Sequence, residues 1–452
     1  MNIVEHIFQN MNPAAVAVIE GDREVTFGEL AQLVEAASVS ISAVSAERVG
    51  LDCPNGLSHI VLALAIVRTG KCLVPLASEL VEREREEVIR RTGVGAIVQA
   101  DGSVREVAVQ DRLGFDEAAL KALNPAFIRF SSGTTGESKG IVLSHESLLE
   151  RITAANQGLG ISSSDRIVWI LPMAHHFAVS IILYLWRGAT TIVVPSHLAE
   201  DILAAAREHR GTVLYGAPFH HAGLAAEPSG RSWPDLRLAV STAAALPVAT
   251  AEAFRARFGI SLSQGLGIIE VGLPFLNIVS REKKPGSIGR PLPDYSAEIH
   301  DGQLFLRGPG MLDAYLNPWR TRGELLEDGW FRTGDLARVD ADGDYFLEGR
   351  VHSVINVAGM KCFPEEVEAV LSTHPDVQRV RVIGRPHPKV GAVPVAEIIP
   401  VSADRLPTMM SLASLCRTSL ARYKVPVEFR FVESLPLTAS GKIKREAVGQ
   451  IL

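Results

Sequence analysis

Short apolar, β-rich runs alternate with stretches whose apolar positions recur at helical spacing through the chain up to about Ala297. VTFGELAQLVEAAS (25–38) opens as a strand and continues with Leu30, Leu33 and Val34 on one helical face. SHIVLALAIVRTG (58–70) reads as a helix closed by glycine, and KCLVPL (71–76) as the strand that follows. TTIVVP (190–195), GTVLYGAP (211–218) and LRLAVSTA (236–243) are continuous apolar runs, the form of strands covered on both faces. Each lies near a helical stretch, so the rhythm predicts an α/β architecture with mainly parallel sheets. Beyond that point the pattern changes. AEIHDGQLFLRG and ADGDYFLEGR set Asp-Gly between alternating runs, which predicts hairpins. PEEVEAVLSTH (364–374) is a short helix with Pro364 in its first turn and acids behind it. RVRVIGRP and VPVAEIIPV read as strands, and SLASLCRTSLARY (411–423) as a helix. The expected organisation is a large domain over 1–351, of mixed or parallel sheets with helices and a β-rich subdomain, and a small α+β domain over 352–452.

Composition narrows the function. The 452 residues are 47% hydrophobic, ample for a large core, and carry 45 basic against 51 acidic side chains, a net charge of −6. No long run of either sign occurs, so neither a nucleic acid nor an anionic membrane is an expected partner. Cys53, Cys72, Cys362 and Cys416 are scattered without a CxxC pair, which argues against a disulfide or zinc framework and suits a reducing compartment. MNIVEHIFQN has Glu5 and no basic segment before an apolar stretch, unlike a signal peptide. IVLALAIV (60–67) is too short to span a bilayer. A soluble cytoplasmic protein is expected.

The segment FSSGTTGESKG (130–140) carries the first chemistry. AFIRF (126–130) before it reads as a strand, and SHESLLERITAA (144–155) after it as a helix with Ser144 as N-cap and Leu148, Ile152 and Ala155 on one face. Glycines let backbone N–H groups approach an anion, hydroxyls add donors, and Lys139 adds charge, which together suit a phosphate. The Walker pattern fails, because Gly136 lies three residues before Lys139. By composition alone the segment also reads as a polar surface turn.

The full string SSGTTGESKGIVLSHESL resembles the phosphate-binding loop of the adenylate-forming superfamily, which includes acyl- and aryl-CoA synthetases, adenylation domains and firefly-type luciferases. LPMAHH (171–176), YGAP (215–218), STAAALP (241–247), QGLGIIE (264–270), KPGSIGRPLP (284–293), GWFRTGDLARVDADGDYFLEGR (329–350), INVAGMKCFPEEVE (355–368) and LPLTASGKIKR (435–445) follow in the order usual for that family. The resemblance spans the chain. It implies that a carboxylate attacks the α-phosphorus of ATP to give an acyl- or aryl-adenylate and pyrophosphate. A pantetheine thiol of CoA or of a carrier protein then takes the acyl group. By the same resemblance Ser132, Thr134, Thr135 and Lys139 hold the β/γ-phosphates, and Glu270 holds Mg²⁺, a hard cation that prefers oxygen ligands. Thr242, Gly265 and Leu266 border the nucleotide, Asp335 accepts both ribose hydroxyls, and Arg350 pairs with ribose or phosphate. Lys442 is implied to reach from a small mobile domain to the α-phosphate, with Glu270 and His175 completing the catalytic set. His175, His176, Gly216 and Gly267 are implied to line the acid pocket. His352 takes the hinge position, usually Asp or Lys, and Gly359 admits the thiol arm.

Several positions depart from the family pattern. Leu266 replaces an aromatic that packs on adenine, Ile269 replaces a threonine that meets the α-phosphate, and Thr242-Ala243 replaces a Gly-Gly pair. One missing neutral hydrogen bond is worth about 1 kcal/mol, so Ile269 should weaken ATP use without abolishing it. Ala178 stands where amino-acid-activating relatives carry Asp; it cannot pair with an ammonium, so an α-amino acid is disfavoured and an aryl or acyl acid expected. His175 and His176, read as neighbours in an extended segment facing opposite ways, do not suggest a metal site. His176 is the candidate to meet a ring substituent. His220 and His221 read equally as pocket residues or as ordinary core histidines. The rival from another class is a non-catalytic sensor of an acid or nucleotide, motivated by the altered nucleotide pocket; a luciferase-like oxygenase is remote. On the ligase reading, Lys442→Ala should cost on the order of several kcal/mol in adenylation, measured by acid-dependent ATP–pyrophosphate exchange.

Overall fold

The computed structural model describes residues 1–436 apart from 10, 79, 81, 110–113, 132–138, 358, 359, 389 and 403. Two compact units emerge. The first comprises Met1–Ser131, Ser138–Ala297 and Leu306–Phe331; the second is built from Glu298–Phe305 and the chain from Arg332 onward. This division falls upstream of the expected 351/352 boundary, because Phe331–Val339 and Tyr345–Arg350 share a four-stranded sheet with Ser296–His300 and Gln303–Arg307. The predicted hairpins are present: Asp301 and Gly302 both take positive φ between the paired runs (51° and 80°), as a two-residue hairpin turn requires.

The first unit holds two eight-stranded sheets. One runs Gly272–Leu276, Ser263–Ile268, Leu238–Ser241, Val213–Gly216, Arg166–Trp169, Thr190–Val193, Val16–Glu20, Arg23–Thr26. Its five interior pairings are parallel and its two edge pairings antiparallel. Alternation along these strands separates two faces. Val168, Ile170, Ile192, Leu214 and Ala239 face a core closed by Ile202, Leu203 and Ala206 of one helix and Ala251 and Phe254 of another. Trp169, Thr191 and Tyr215, out of phase with them, face the other way.

The second sheet runs Arg320–Thr321, Ala314–Tyr315, Lys139–Ser144, Pro125–Ser131, Cys72–Pro75, Arg48–Asp52, Ala96–Gln99, Val104–Glu106. Only the pairings among Pro125–Ser131, Cys72–Pro75, Arg48–Asp52 and Ala96–Gln99 are parallel. The expected mainly parallel character therefore holds inside the first sheet and gives way here. One reason is a hairpin: the sequence reads as strand 126–130, loop and helix, whereas Ile141, Val142 and Leu143 are fully buried on an intervening strand that pairs antiparallel. The helix His145–Leu159 then starts at Ser144, whose hydroxyl accepts from Ser147 N at 3.0 Å, as predicted.

In the second unit Val377–His387 and Gly391–Pro400 pair antiparallel, and Glu428–Phe431 adds in parallel. Val380, Val382 and Ile398 bury against Val367 and Leu371 of helix Pro364–Leu371 and Leu412 and Cys416 of helix Met409–Ser419. All four cysteines are buried and unpaired. Among the described residues no helix is long and apolar enough to cross a membrane.

Four histidines are buried as neutral rings. His59 Nδ1 meets Cys53 O at 2.9 Å, His145 Nδ1 accepts from Ile3 N at 3.1 Å, His220 Nδ1 accepts from Ala217 N at 3.1 Å, and His221 Nε2 meets Val240 O at 3.1 Å. Burial pushes His59, His145 and His221 down to about 4, and His220 down to about 3, from 6.5. The unfolded chain therefore binds these protons first, and folding stability is lost as pH falls below 6.5. Each ring contributes up to roughly 1.4 kcal/mol per pH unit within its window. The urea midpoint should drop between pH 7 and pH 5, above the range in which ordinary carboxylates titrate; an unchanged midpoint would refute it.

Candidate active site

The hairpin of Pro125–Ser131 and Lys139–Ser144 pairs Ser131 with Lys139 and Phe130 with Gly140, so Lys139 stands at the mouth of the Ser/Thr/Gly loop. Strand Ala314–Tyr315 adds to this hairpin with Tyr315 opposite Ile141. Lys139 Nζ lies 5.0 Å from the centre of the Tyr315 ring, a cation–π contact. The Tyr315 hydroxyl donates to Glu270 Oε1 at 3.0 Å. Burial, followed by the Glu270 charge, pushes the Tyr315 phenol far above its ordinary value, so it stays a donor. A cation, a hydroxyl and a carboxylate drawn from three distant segments thus form one chain of contacts.

Glu270 sits in the turn between Ser263–Ile268 and Gly272–Leu276. Arg151, 1% exposed, fixes that turn. Its Nη1 donates to Ile269 O at 3.0 Å and its Nε to Gly310 O at 2.9 Å. Neighbouring Glu150 accepts from Gly310 N at 2.9 Å, and Glu270 O accepts from Leu312 N at 2.7 Å. Gly310 has φ +64° and a Cβ there would lie 2.4 Å from Arg151 N, so only glycine passes so close to the helix.

Thr242 N donates to Gly216 O at 2.9 Å, and a Cβ on Gly267 would lie 3.9 Å from Thr242 Oγ1, so these three predicted positions are neighbours. Behind Gly216 stands His221, whose Nε2 would be 3.4 Å from an added Cβ. His220 and His221 are therefore structural supports of this wall, each bound to backbone. Gly265 and Leu266 pair with Leu276 and Phe275. Ala243 takes φ +72°, a conformation that suits the glycine usual there and strains an alanine by about 1 kcal/mol.

The His175–His176 segment is helical over Met173–His176 and continues into a π-helical turn, Phe177–Ile181. This corrects the extended reading. Successive side chains on a helix diverge by about 100° rather than facing opposite sides. The His175 carbonyl accepts from Arg129 Nη1 at 2.9 Å, which ties it to the phosphate-loop strand. The His176 ring meets Trp169 edge-on at 5.9 Å. Ala178 is 2% exposed. Burial lowers the Arg129 guanidinium to about 10, while the Glu270 charge opposes the fall.

In the second unit Asp335 and Arg350, singled out separately in the sequence, are direct cross-strand partners. Arg350 Nε lies 2.6 Å from Asp335 Oδ1, and Asp335 is 5% exposed. His352 lies in the 3₁₀ turn Val351–Ser353. Ser132, Thr134, Thr135, Gly359 and Lys442 lie outside the described residues.

Comparison with known proteins reads this arrangement. The model of the AMP-binding enzymes matches residues 7–316, and that of the AMP-binding enzyme C-terminal domain matches 366–442. The chain belongs to the AMP-binding enzyme family. A feruloyl-CoA synthase of Amycolatopsis is 28% identical over 97% of this chain and 96% of its own length. A 2-succinylbenzoate–CoA ligase of Listeria monocytogenes is 28% identical over 96% of each. The structure of the anthranilate CoA ligase AuaEII with anthranoyl-AMP superposes with a TM-score of 0.82 at 25% identity, covering 98% of this chain and 96% of that one. The protein is an AMP-forming acid–thiol ligase, and the catalytic reading prevails over the sensor alternative.

For this AMP-binding enzyme, sequence reasoning missed Arg151, Tyr315 and Arg129. Arg151 left a signal: it falls between Leu148 and Ile152 on the apolar stripe of its helix, where a cation needs a buried partner. Tyr315 and Arg129 left none, because their partners are far away in sequence. Removing the Arg151 guanidinium orphans the carbonyls of Ile269 and Gly310. Arg151→Met should therefore destabilise the protein by on the order of 3 kcal/mol, read from chemical denaturation.

Proposed function

We propose that this ligase activates an aryl or acyl carboxylic acid with Mg²⁺ and ATP and passes the acyl group to the thiol of CoA. The observation that carries the site assignment is the contact chain Lys139–Tyr315–Glu270. The reaction brings a carboxylate against a triphosphate, two anions, so the barrier is dominated by repulsion that fixed positive charge must offset. Lys139, at the mouth of the loop, supplies charge to the β/γ-phosphates, with the hydroxyls of Ser132, Thr134 and Thr135 as donors. Glu270 fits a Mg²⁺ ligand: it is a half-buried carboxylate with one oxygen held by a tyrosine that stays protonated. When bound, the ion neutralises phosphate charge. The Arg151 bonds keep that carboxylate's turn in place so that no reorganisation is needed during reaction.

Asp335 takes the ribose diol with Arg350 holding its carboxylate, and Lys442 serves the α-phosphate. Thr242, Gly265 and Leu266 border the nucleotide, and Gly216, Gly267, His175 and His176 the acid. Motion at His352 exchanges the lysine for the segment of Gly359 before thiol attack. Ala178, buried and uncharged, gives no counter-ion to an α-ammonium, which supports the non-amino-acid reading. A phosphopantetheinyl carrier protein is the alternative acceptor. Acid-dependent ATP–pyrophosphate exchange should be led by benzoates or cinnamates over α-amino acids; exchange led by amino acids would sink the pocket assignment. Glu270→Gln keeps the shape and the Tyr315 bond but loses the charge, and should slow exchange on the order of a hundredfold. Thioester formation with CoA, set against a loaded carrier, identifies the acceptor.

A further inference from the structure

We propose that the acid activated by this enzyme carries an uncharged hydrogen-bond acceptor on the end remote from its reacting carboxylate, and that the indole N–H of Trp169 binds it. The inference rests on the carboxylic-acid ligase reading and names the substrate class of that site.

Trp169 ends the strand Arg166–Trp169 and is 0% exposed. Its indole nitrogen has no hydrogen-bond partner among the described residues. An indole N–H can only donate, so the missing partner is an acceptor. Leaving such a donor buried and unmet costs about 1–3 kcal/mol, and native interiors rarely tolerate it. The same fold satisfies its other deeply buried indole: Trp233, on the opposite side of the sheet, donates to Gly211 O at 2.7 Å.

The unmet donor has company. The Tyr184 hydroxyl, on a residue 1% exposed, has the Ser180 side chain beside it. Thr191, 0% exposed, lies on the Trp169 face of the sheet, and its hydroxyl is likewise unmet among the described residues. The surroundings tie this group to the acid site. The Trp169 ring contacts His176 at 5.9 Å, Tyr184 at 5.9 Å and Tyr215, next to Gly216, at 6.4 Å. These neighbours are aromatic, and a planar ring packs favourably against such faces and edges. The rings in contact with Trp169 carry no permanent cation, so a phenol, ether or carbonyl oxygen would match the indole without setting a charge against those rings.

The experiment compares cinnamate with 4-hydroxy- and 4-methoxycinnamate, and benzoate with its hydroxy and methoxy derivatives, in wild type, Trp169→Phe and Tyr184→Phe. Binding is measured by calorimetry and thioester formation by kcat/KM. Wild type should favour at least one oxygen-substituted acid over its parent by about tenfold. Trp169→Phe should bring that ratio toward one, chiefly through KM for the substituted acid. Tyr184→Phe, which keeps the ring, should lower the ratio less. A wild-type ratio near one throughout overturns the proposal, as does a Trp169→Phe variant that weakens parent and substituted acids equally, the mark of a structural indole or a buried water. Selective binding with no turnover of any acid keeps the subsite and refutes the ligase reading instead.

Discussion

A single buried guanidinium holds the acidic end of this site in place. Arg151 reaches from the helix behind the phosphate-loop hairpin to the carbonyls of Ile269 and Gly310. It joins three separate segments: its own helix, the Glu270 turn and the glycine-containing stretch that leads to Tyr315. A charge so deep in the protein is stable only while its donors are met. One carbonyl it meets, that of Ile269, is the backbone beside Glu270, the carboxylate proposed to hold the metal ion. Placement of Glu270 and stability of the first unit are thus one problem with one solution.

The departures from the family pattern become intelligible against that anchor. Ile269 lacks the hydroxyl usual at its position, yet its carbonyl is the Arg151 acceptor, so the turn keeps its backbone while losing one side-chain donor. Ala243 replaces glycine but retains the left-handed conformation, held by the adjacent Thr242–Gly216 bond. At both positions the backbone is held by hydrogen bonds while the side chain departs from the family pattern. Changing a side chain costs about one hydrogen bond, whereas losing backbone geometry would displace every donor at once.

The two sides of the first sheet are covered differently. On one face, apolar side chains and a satisfied Trp233 close a dry interior. On the other, the Trp169 indole and the Thr191 hydroxyl have no hydrogen-bond partner among the described residues. The same alternation of residues along a strand builds both. What differs is whether the covering elements bring partners, and here the cover is a helix interrupted by a π-turn at the histidines.

The sequence by itself determined the α/β rhythm, the hairpins at Asp-Gly, the Ser144 cap, the small C-terminal α+β unit and the family, because periodicity, turn chemistry and motifs are local properties. It named Lys139 and Glu270 for the same reason. Tertiary structure alone decided that Tyr315 links those two, that Asp335 and Arg350 face each other across a hairpin, and that His175–His176 is helical. It also decided that KGIVLS is a strand and not the end of a loop. Those outcomes depend on which segments are brought together in space. Side chains on separate segments leave no mutual trace in one sequence until the sheets place them within reach of one another.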